Sequence, residues 1–284
     1  MTLAVPAPLR RKRRNVIPGF GVTFGFSVFY LGLIVLLPLA ALVLRASRIG
    51  WEGFLAVATD SRVLAALKIS FGLSLAAAIV ASAFGLLIAW VLTRYEFPGR
   101  RMIDAIVDLP FALPTAVAGI ALAALYAPNG WIGAPLGALG LKVAFTPAGI
   151  FIALVFIGLP FAVRTVEPLI AEIEREQEEA SATLGASRAR TVLKVLLPPL
   201  VPAILTGFAL AFARAVGEYG SVIFIAGNLP YVSEIAPLLI VIKLSEFDYA
   251  GAAVIATIML AISFLALLVI NLLQAWSRRR FGHV

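Results

Sequence analysis

The stretch Ile69-Ser-Phe-Gly-Leu-Ser-Leu-Ala-Ala-Ala-Ile-Val-Ala-Ser-Ala-Phe-Gly-Leu-Leu-Ile-Ala-Trp-Val-Leu-Thr93 contains no charged residue. A helix that crosses a bilayer needs about 20 mostly apolar residues, and this run supplies them unbroken. Similar runs lie on either side. Asn15–Leu44 precedes it, and Leu109–Leu141, Val143–Val163 and Tyr249–Ser277 follow. A further run begins near the cluster Pro198, Pro199, Pro202 and extends toward Ala226, carrying two charges, Arg214 and Glu218. Pro128-Asn129-Gly130 interrupts the third run, so its helix is predicted to end near Tyr126. The reading is an all-α polytopic membrane protein with six transmembrane helices. A membrane barrel would show short alternating strands rather than blocks such as Leu33–Leu37.

Composition agrees. Of 284 residues, 62% are hydrophobic and 13% charged, and the mean hydropathy is +1.02. A soluble domain carries about 45–50% apolar and about 25% charged residues, so a soluble enzyme, an ordinary nucleic-acid-binding domain and a disordered chain are excluded. Cys is absent and His occurs once, at His283. This leaves no disulfide framework, no His or thiolate metal cluster and no Ser/His or Cys/His nucleophile. No catalytic, cofactor-binding or metal-binding residue is predicted.

The net charge of +8 is a topological signal before it is a binding signal. The run Arg10-Arg11-Lys12-Arg13-Arg14 precedes an apolar stretch longer than a signal-peptide core, which reads as an uncleaved first helix. With the N-terminus inside, inner segments hold those five residues, Arg94, Arg100, Arg101, Arg164, Arg175, Arg188, Arg190, Lys194 and Arg278-Arg279-Arg280. Outer segments hold Arg45, Arg48, Arg62, Lys68, Lys142 and Lys243. Both termini are therefore expected in the cytoplasm. The chain divides into a basic segment 1–18, a six-helix domain 19–277 and a tail 278–284. The basic excess needs no nucleic acid to explain it.

The most charged segment, Arg164–Lys194, lies between the fourth and fifth runs. Its acids stand N-terminal and its bases C-terminal, as a helix dipole prefers. Gly185 is placed to end one helical piece with a positive φ, and Ser187 to N-cap a second that enters the membrane at Pro198. Taken alone, this composition fits a solvated hairpin equally well.

Within that loop, Glu179-Ala180-Ser181, three residues, Gly185, nine residues and Val195-Leu196-Leu197-Pro198 resemble the cytoplasmic signature of bacterial ABC importer permeases. Ser181 and Val195 depart conservatively from that pattern. Three further segments resemble, more narrowly, the T-type permease subunits of sulfate/thiosulfate ABC importers. These are Leu92–Arg100 with Asp108-Leu-Pro-Phe-Ala-Leu-Pro-Thr-Ala-Val-Ala-Gly119, then Arg214–Asn228, then Glu246-Phe247-Asp248-Tyr249. The resemblance implies a type I importer permease fold in the bacterial inner membrane. It also implies that the loop at about 164–198 docks on a separate ATPase. Implied partners are a second, W-type permease, an ATP-binding cassette ATPase dimer, an extracytoplasmic sulfate/thiosulfate-binding protein and membrane lipid. Related molybdate permeases share two of the segments and are an alternative, and the sister W-type sulfate permease is the nearest confusion.

Arg214 and Glu218 stand four apart, as on one helix face. Charges inside a membrane are costly and face an interior or a cavity. Two readings follow: Arg214 offers positive potential to a passing oxyanion while Glu218 orients it, or the two form a structural pair. Pro110 and Pro114, with Thr115, either free backbone groups to line a pathway or kink the helix at a subunit interface. Gly217, Gly220 and Gly227 are expected to permit close packing. Asp60, Asp104 and Asp108 read as solvated or paired flank acids. No Gly-x-x-x-x-Gly-Lys-Ser/Thr loop is present, so ATP, if used, is bound by partner subunits. An ion-coupled secondary transporter would need intramembrane acids, and only Glu218 qualifies. A membrane enzyme would need convergent polar groups that are missing.

Overall fold

The computed structural model describes residues 19–281, with side chains through Ser277. The basic run Arg10–Arg14, the rest of segment 1–18 and residues 282–284 lie outside the described residues. In chain order the helices are α1 Phe20–Ser47, α2 Gly50–Ala58, α3 Ser61–Arg94, α4 Arg100–Val107, α5 Leu109–Ala112, α6 Thr115–Tyr126 and α7 Gly133–Ala138. They continue with α8 Pro147–Glu172, α9 Arg175–Thr183, α10 Arg188–Val216, α11 Val222–Ile225, α12 Ala236–Ser245 and α13 Tyr249–Phe281. Among the described residues there is no strand. Five helices (α1, α3, α8, α10 and α13) are long and apolar enough to cross a membrane; α6 and α12 are shorter apolar helices.

The centre is a three-helix packing of α3, α8 and α10. Small residues make it possible. Ala77, Ala78 and Ala81 of α3 are buried, and a Cβ on Gly85 would sit 2.6 Å from the Cβ of Ala162 on α8. A Cβ on Gly207 of α10 would lie 3.1 Å from the Cα of Ala162. In a bilayer, association depends on such close backbone approach, because lipid is as apolar as the side chains. α13 packs on α10 and α12, and α1 packs on α13.

The six runs resolve into five long helices because the third is divided. Leu113 and Pro114 are extended, with ψ 134° at both. The residue before a proline is pushed out of helical conformation, so one predicted helix becomes α5 and α6. The fourth helix begins at Pro147 and continues nine residues beyond Val163, to Glu172. The fifth begins at Arg188 instead of near Pro198. A wide turn at Val192–Leu196, with the Leu197 N–H bonded to the Val192 carbonyl, absorbs Pro198 and Pro199. A similar turn at Gly32–Leu36 precedes Pro38. The fifth helix also stops at Val216, ten residues before the predicted end at Ala226. The sixth extends to Phe281. α12 was not foreseen from the sequence.

Candidate functional site

At one end of the bundle, α9 forms a self-contained turn. The N–H of Gly185 bonds to the Ala182 carbonyl at 2.9 Å, and the N–H of Ala186 to the Ser181 carbonyl at 3.1 Å. This pair of bonds is a Schellman closure. It requires the positive φ of Gly185, +77°. Ser187 then caps α10, accepting from the Arg190 N–H at 3.4 Å. Ser181 is buried and shares a 2.8 Å hydrogen bond with Thr191, which ties α9 to the start of α10. Ala180 and Leu184 are exposed, and Glu179 and Ala182 are exposed toward the cleft beside the turn. Val195 lies in the wide turn of α10 and is half-buried, as is Pro198. A cleft of about 590 Å³ separates this turn from α3; Trp90, Glu179 and Arg188 are among its walls.

Arg94 fastens the turn to the membrane helices. It donates to the Ile173 carbonyl at 3.0 Å and pairs with Glu178 at 3.2 Å. Its guanidinium also lies over the Trp90 ring, 5.6 Å from the centroid, within the about 6 Å reach of a cation–π contact. Thus Glu178 has the basic partner, and Glu179 stays exposed. The sequence offered no spacing rule to find Arg94, because its partners lie some 80 residues away on another element.

The second polar site is where α10 ends. Arg214 pairs with Glu218 at 2.5 Å. Glu218 is not on the helix face, because α10 stops at Val216 and Gly217 leads out of it. The carboxylate is 3% exposed. Its other oxygen accepts from the Ser221 N–H at 2.9 Å and the Ser221 hydroxyl at 3.0 Å. Glu218 therefore bridges the end of α10 and the start of α11.

α6 closes against this break. A Cβ on Gly220 would lie 2.2 Å from Thr115 Oγ1, and one on Gly119 would lie 2.4 Å from the Ser221 carbonyl oxygen. Gly227 is also in contact, against Phe145, with φ +72°. Gly217 has no such neighbour within close range. The structure thus brings Thr115 to the break that holds Arg214 and Glu218, with Pro114 exposed at the start of α6. Arg214 is 34% exposed at its side chain. It shares an outward stripe with Leu210, Ala213 and Gly217. One of its five N–H donors meets Glu218, so others are available to a ligand on that stripe.

Two further clusters were missed. Arg62 holds Glu234 with two bonds of 2.8 Å, and Glu234 is 1% exposed. Nearby, the Ala236 N–H bonds to Ser70 Oγ at 2.8 Å, which draws the 226–235 loop back onto α3. Arg164 of α8 binds Asp108 through two bonds of 2.8 and 2.7 Å, Asp104 at 2.7 Å and Glu167 at 2.6 Å. This cluster lets α8 continue through a residue that composition assigned to a loop. Asp60 N-caps α3 through the N–H groups of Arg62 and Val63. Among the described residues, no group of three His, Cys, Asp or Glu is arranged to hold a metal.

The family described as binding-protein-dependent transport system inner membrane component matches residues 81–283. The sulfate transport system permease protein CysT of Salmonella typhimurium is 48% identical over 271 residues, covering 95% of this chain and 98% of the relative. The protein of the same name from Synechococcus elongatus is 51% identical over 257 residues, with 90% and 92% covered. Among solved structures, a bacterial ABC transporter that imports the acidic polysaccharide alginate matches with TM-score 0.74 at 16% identity, covering 91% of this chain and 94% of that one. At that identity the likeness concerns the fold alone.

Proposed function

The chain belongs to the family of binding-protein-dependent transport system inner membrane components, and on that footing we propose that it is a sulfate/thiosulfate-conducting permease subunit of an ATP-driven importer. The observation that carries the substrate is the identity of about half its residues, end to end, with sulfate permeases. The chain works beside a second, W-type permease and receives its anion from an extracytoplasmic binding protein. ATP is bound and hydrolysed by a partner ATPase dimer. The loop at 164–198 couples the two, offering Glu179, Ala180, Ala182 and Leu184 to the ATPase. The domain 19–277 lies in the bacterial inner membrane, and segment 1–18, the loop and tail 278–284 face the cytoplasm.

The chemistry of Arg214 fits a passing dianion. A lone arginine in low dielectric would be costly and would hold sulfate too firmly for release. Glu218 cancels most of its charge and fixes its direction, while free guanidinium donors remain for tetrahedral oxygens. Irregular backbone at 217–221 is tolerated in a membrane protein where it is buried or lines an aqueous cavity, and Thr115 stands beside it. The test is uptake of labelled sulfate by a strain lacking this chain, with and without the gene restored, and with thiosulfate and molybdate as competitors. Restored uptake competed by thiosulfate is expected. Competition by molybdate alone would overturn the substrate assignment. Reporter fusions at Gly185 and Val284 test the orientation, and activity of an outside-specific reporter at either position would overturn it.

A further inference from the structure

α4 follows α3 after one tight turn. Gly99, at φ +88°, reverses the chain, and the N–H of Ile103 bonds to the Gly99 carbonyl at 3.0 Å. The two faces of α4 differ sharply. One face is pinned to the bundle: Arg164 holds Asp104 and Asp108, and Val107 is buried among Leu92, Val163, Ile170 and Leu200. The other face carries Met102 and Ile106 at the spacing of one helical stripe, with Ile103 beside it, and Leu109 at the start of α5 continues that spacing. All four are exposed, Met102 at 68%. At the N-terminal end of the stripe stand Arg100 and Arg101, both exposed. No described carboxylate lies within ion-pair distance of either, and Glu96 is no exception.

This helix sits where the membrane-spanning α3 ends, so its apolar stripe is at the level of a bilayer surface. An amphipathic helix with basic residues at its polar border and an apolar opposite face lies in the interface plane and prefers anionic lipid. We propose that α4 is a binding site for an anionic phospholipid. Arg100 and Arg101 grip the headgroup phosphate, and Met102, Ile106 and Leu109 sit among the acyl chains. Arg164 draws Asp104 and Asp108 toward α8, on the side of α4 away from the apolar stripe. The bound lipid braces α4, and through α5 it braces the Leu113–Pro114 break and Thr115.

The chain contains no Cys, so in a transporter assembled with Cys-free partner subunits a bimane label at Met102→Cys reports this face alone. Vesicles would carry brominated phosphatidylglycerol or brominated phosphatidylcholine at equal mole fraction. Each arginine at an anionic surface is worth about fivefold in association. Quenching should therefore be several-fold stronger with the brominated anionic lipid, and the two lipids should become equal in Arg100→Gln/Arg101→Gln. Free inorganic phosphate or sulfate should leave the preference unchanged. A label at Ile79→Cys, exposed in mid-α3, should be quenched equally by both lipids in both backgrounds and confirms that the bundle is intact. Equal quenching by both lipids at Met102 in the wild-type background would overturn the proposal. So would no quenching there, which would mean that protein or water covers the face. Loss of the preference on adding free phosphate would also overturn it, by showing an anion site without lipid.

Discussion

The turn after α9 and the break after α10 are built by opposite means. The α9 turn is closed by bonds between residues five or fewer apart, Ala186 to Ser181 and Gly185 to Ala182, and it shows its outer side chains to its surroundings. The α10 break is closed by a buried carboxylate, an arginine and a helix from 100 residues earlier in the chain. A local turn can present a surface without depending on the bundle. A break inside a membrane has to satisfy its own charge and backbone, so it depends on neighbours. Damage to the first should therefore disturb communication with a partner, and damage to the second should disturb the fold.

The largest effect that would break this contrast is at the ion pair. Arg214→Ala strands a buried Glu218. Removing one member of a buried pair costs about 3–5 kcal/mol, and the two bonds from Ser221 place this case at the lower end. Thermal unfolding of the purified transporter should show a marked loss. Arg214→Gln with Glu218→Gln removes both charges at similar size and should recover most of that stability. Sulfate uptake by the recovered double variant then separates the two roles of the pair. Loss of uptake is expected if Arg214 attracts the anion. Normal uptake would reduce the pair to a structural tie.

A smaller effect sharpens the other side. Nothing lies within 4 Å of a Cβ at Gly185, so Gly185→Val costs backbone strain alone, about 1–2 kcal/mol. The variant should insert in the membrane, yet copurify poorly with the ATPase or fail to stimulate hydrolysis when loaded binding protein is added. Glu179→Lys, on the exposed side, should give the same defect with unchanged unfolding. Wild-type stimulation in both variants would refute coupling through this loop.

The smallest effect is inside the turn. Ser181→Ala leaves Thr191 only its longer 3.3 Å bond to the Ser187 carbonyl and should cost about 1 kcal/mol. Ser181→Ala with Thr191→Val should be close to neutral, because both polar groups are then gone. Unfolding measured in detergent distinguishes the two. If the double variant were no better than the single, the Ser181–Thr191 bond would not be what fastens α9 to α10.

Much of the α9 turn was legible in the sequence. Glycine at 185, serine at 187 and the charge gradient each act over a few residues, so spacing alone located them. The apolar runs were legible for the same reason, as bilayer thickness imposes their length. Misjudged boundaries fall at Leu113–Pro114, Arg164, Pro198 and Val216. At Arg164 distant carboxylates changed the outcome and at Pro198 a widened turn did, while Pro114 broke its helix locally and Glu218 left α10 to meet Ser221. Arg94 and Arg62 were missed altogether as site residues, since nothing in the surrounding sequence marks which carboxylate they meet.

Length and apolar runs determined by themselves that this is a helical membrane protein, and the 179–198 spacing carried its resemblance to importer permeases. Tertiary structure alone decided that Thr115 meets Gly220, that Glu218 is buried under Ser221, and that Arg214 keeps a third of its side chain exposed. The reason is the range of the forces. Hydropathy and capping act along the chain and leave a periodic trace in it. A buried carboxylate is settled by whichever donors the packing of α3, α8 and α10 brings within 3 Å, and that depends on contacts the linear order does not contain.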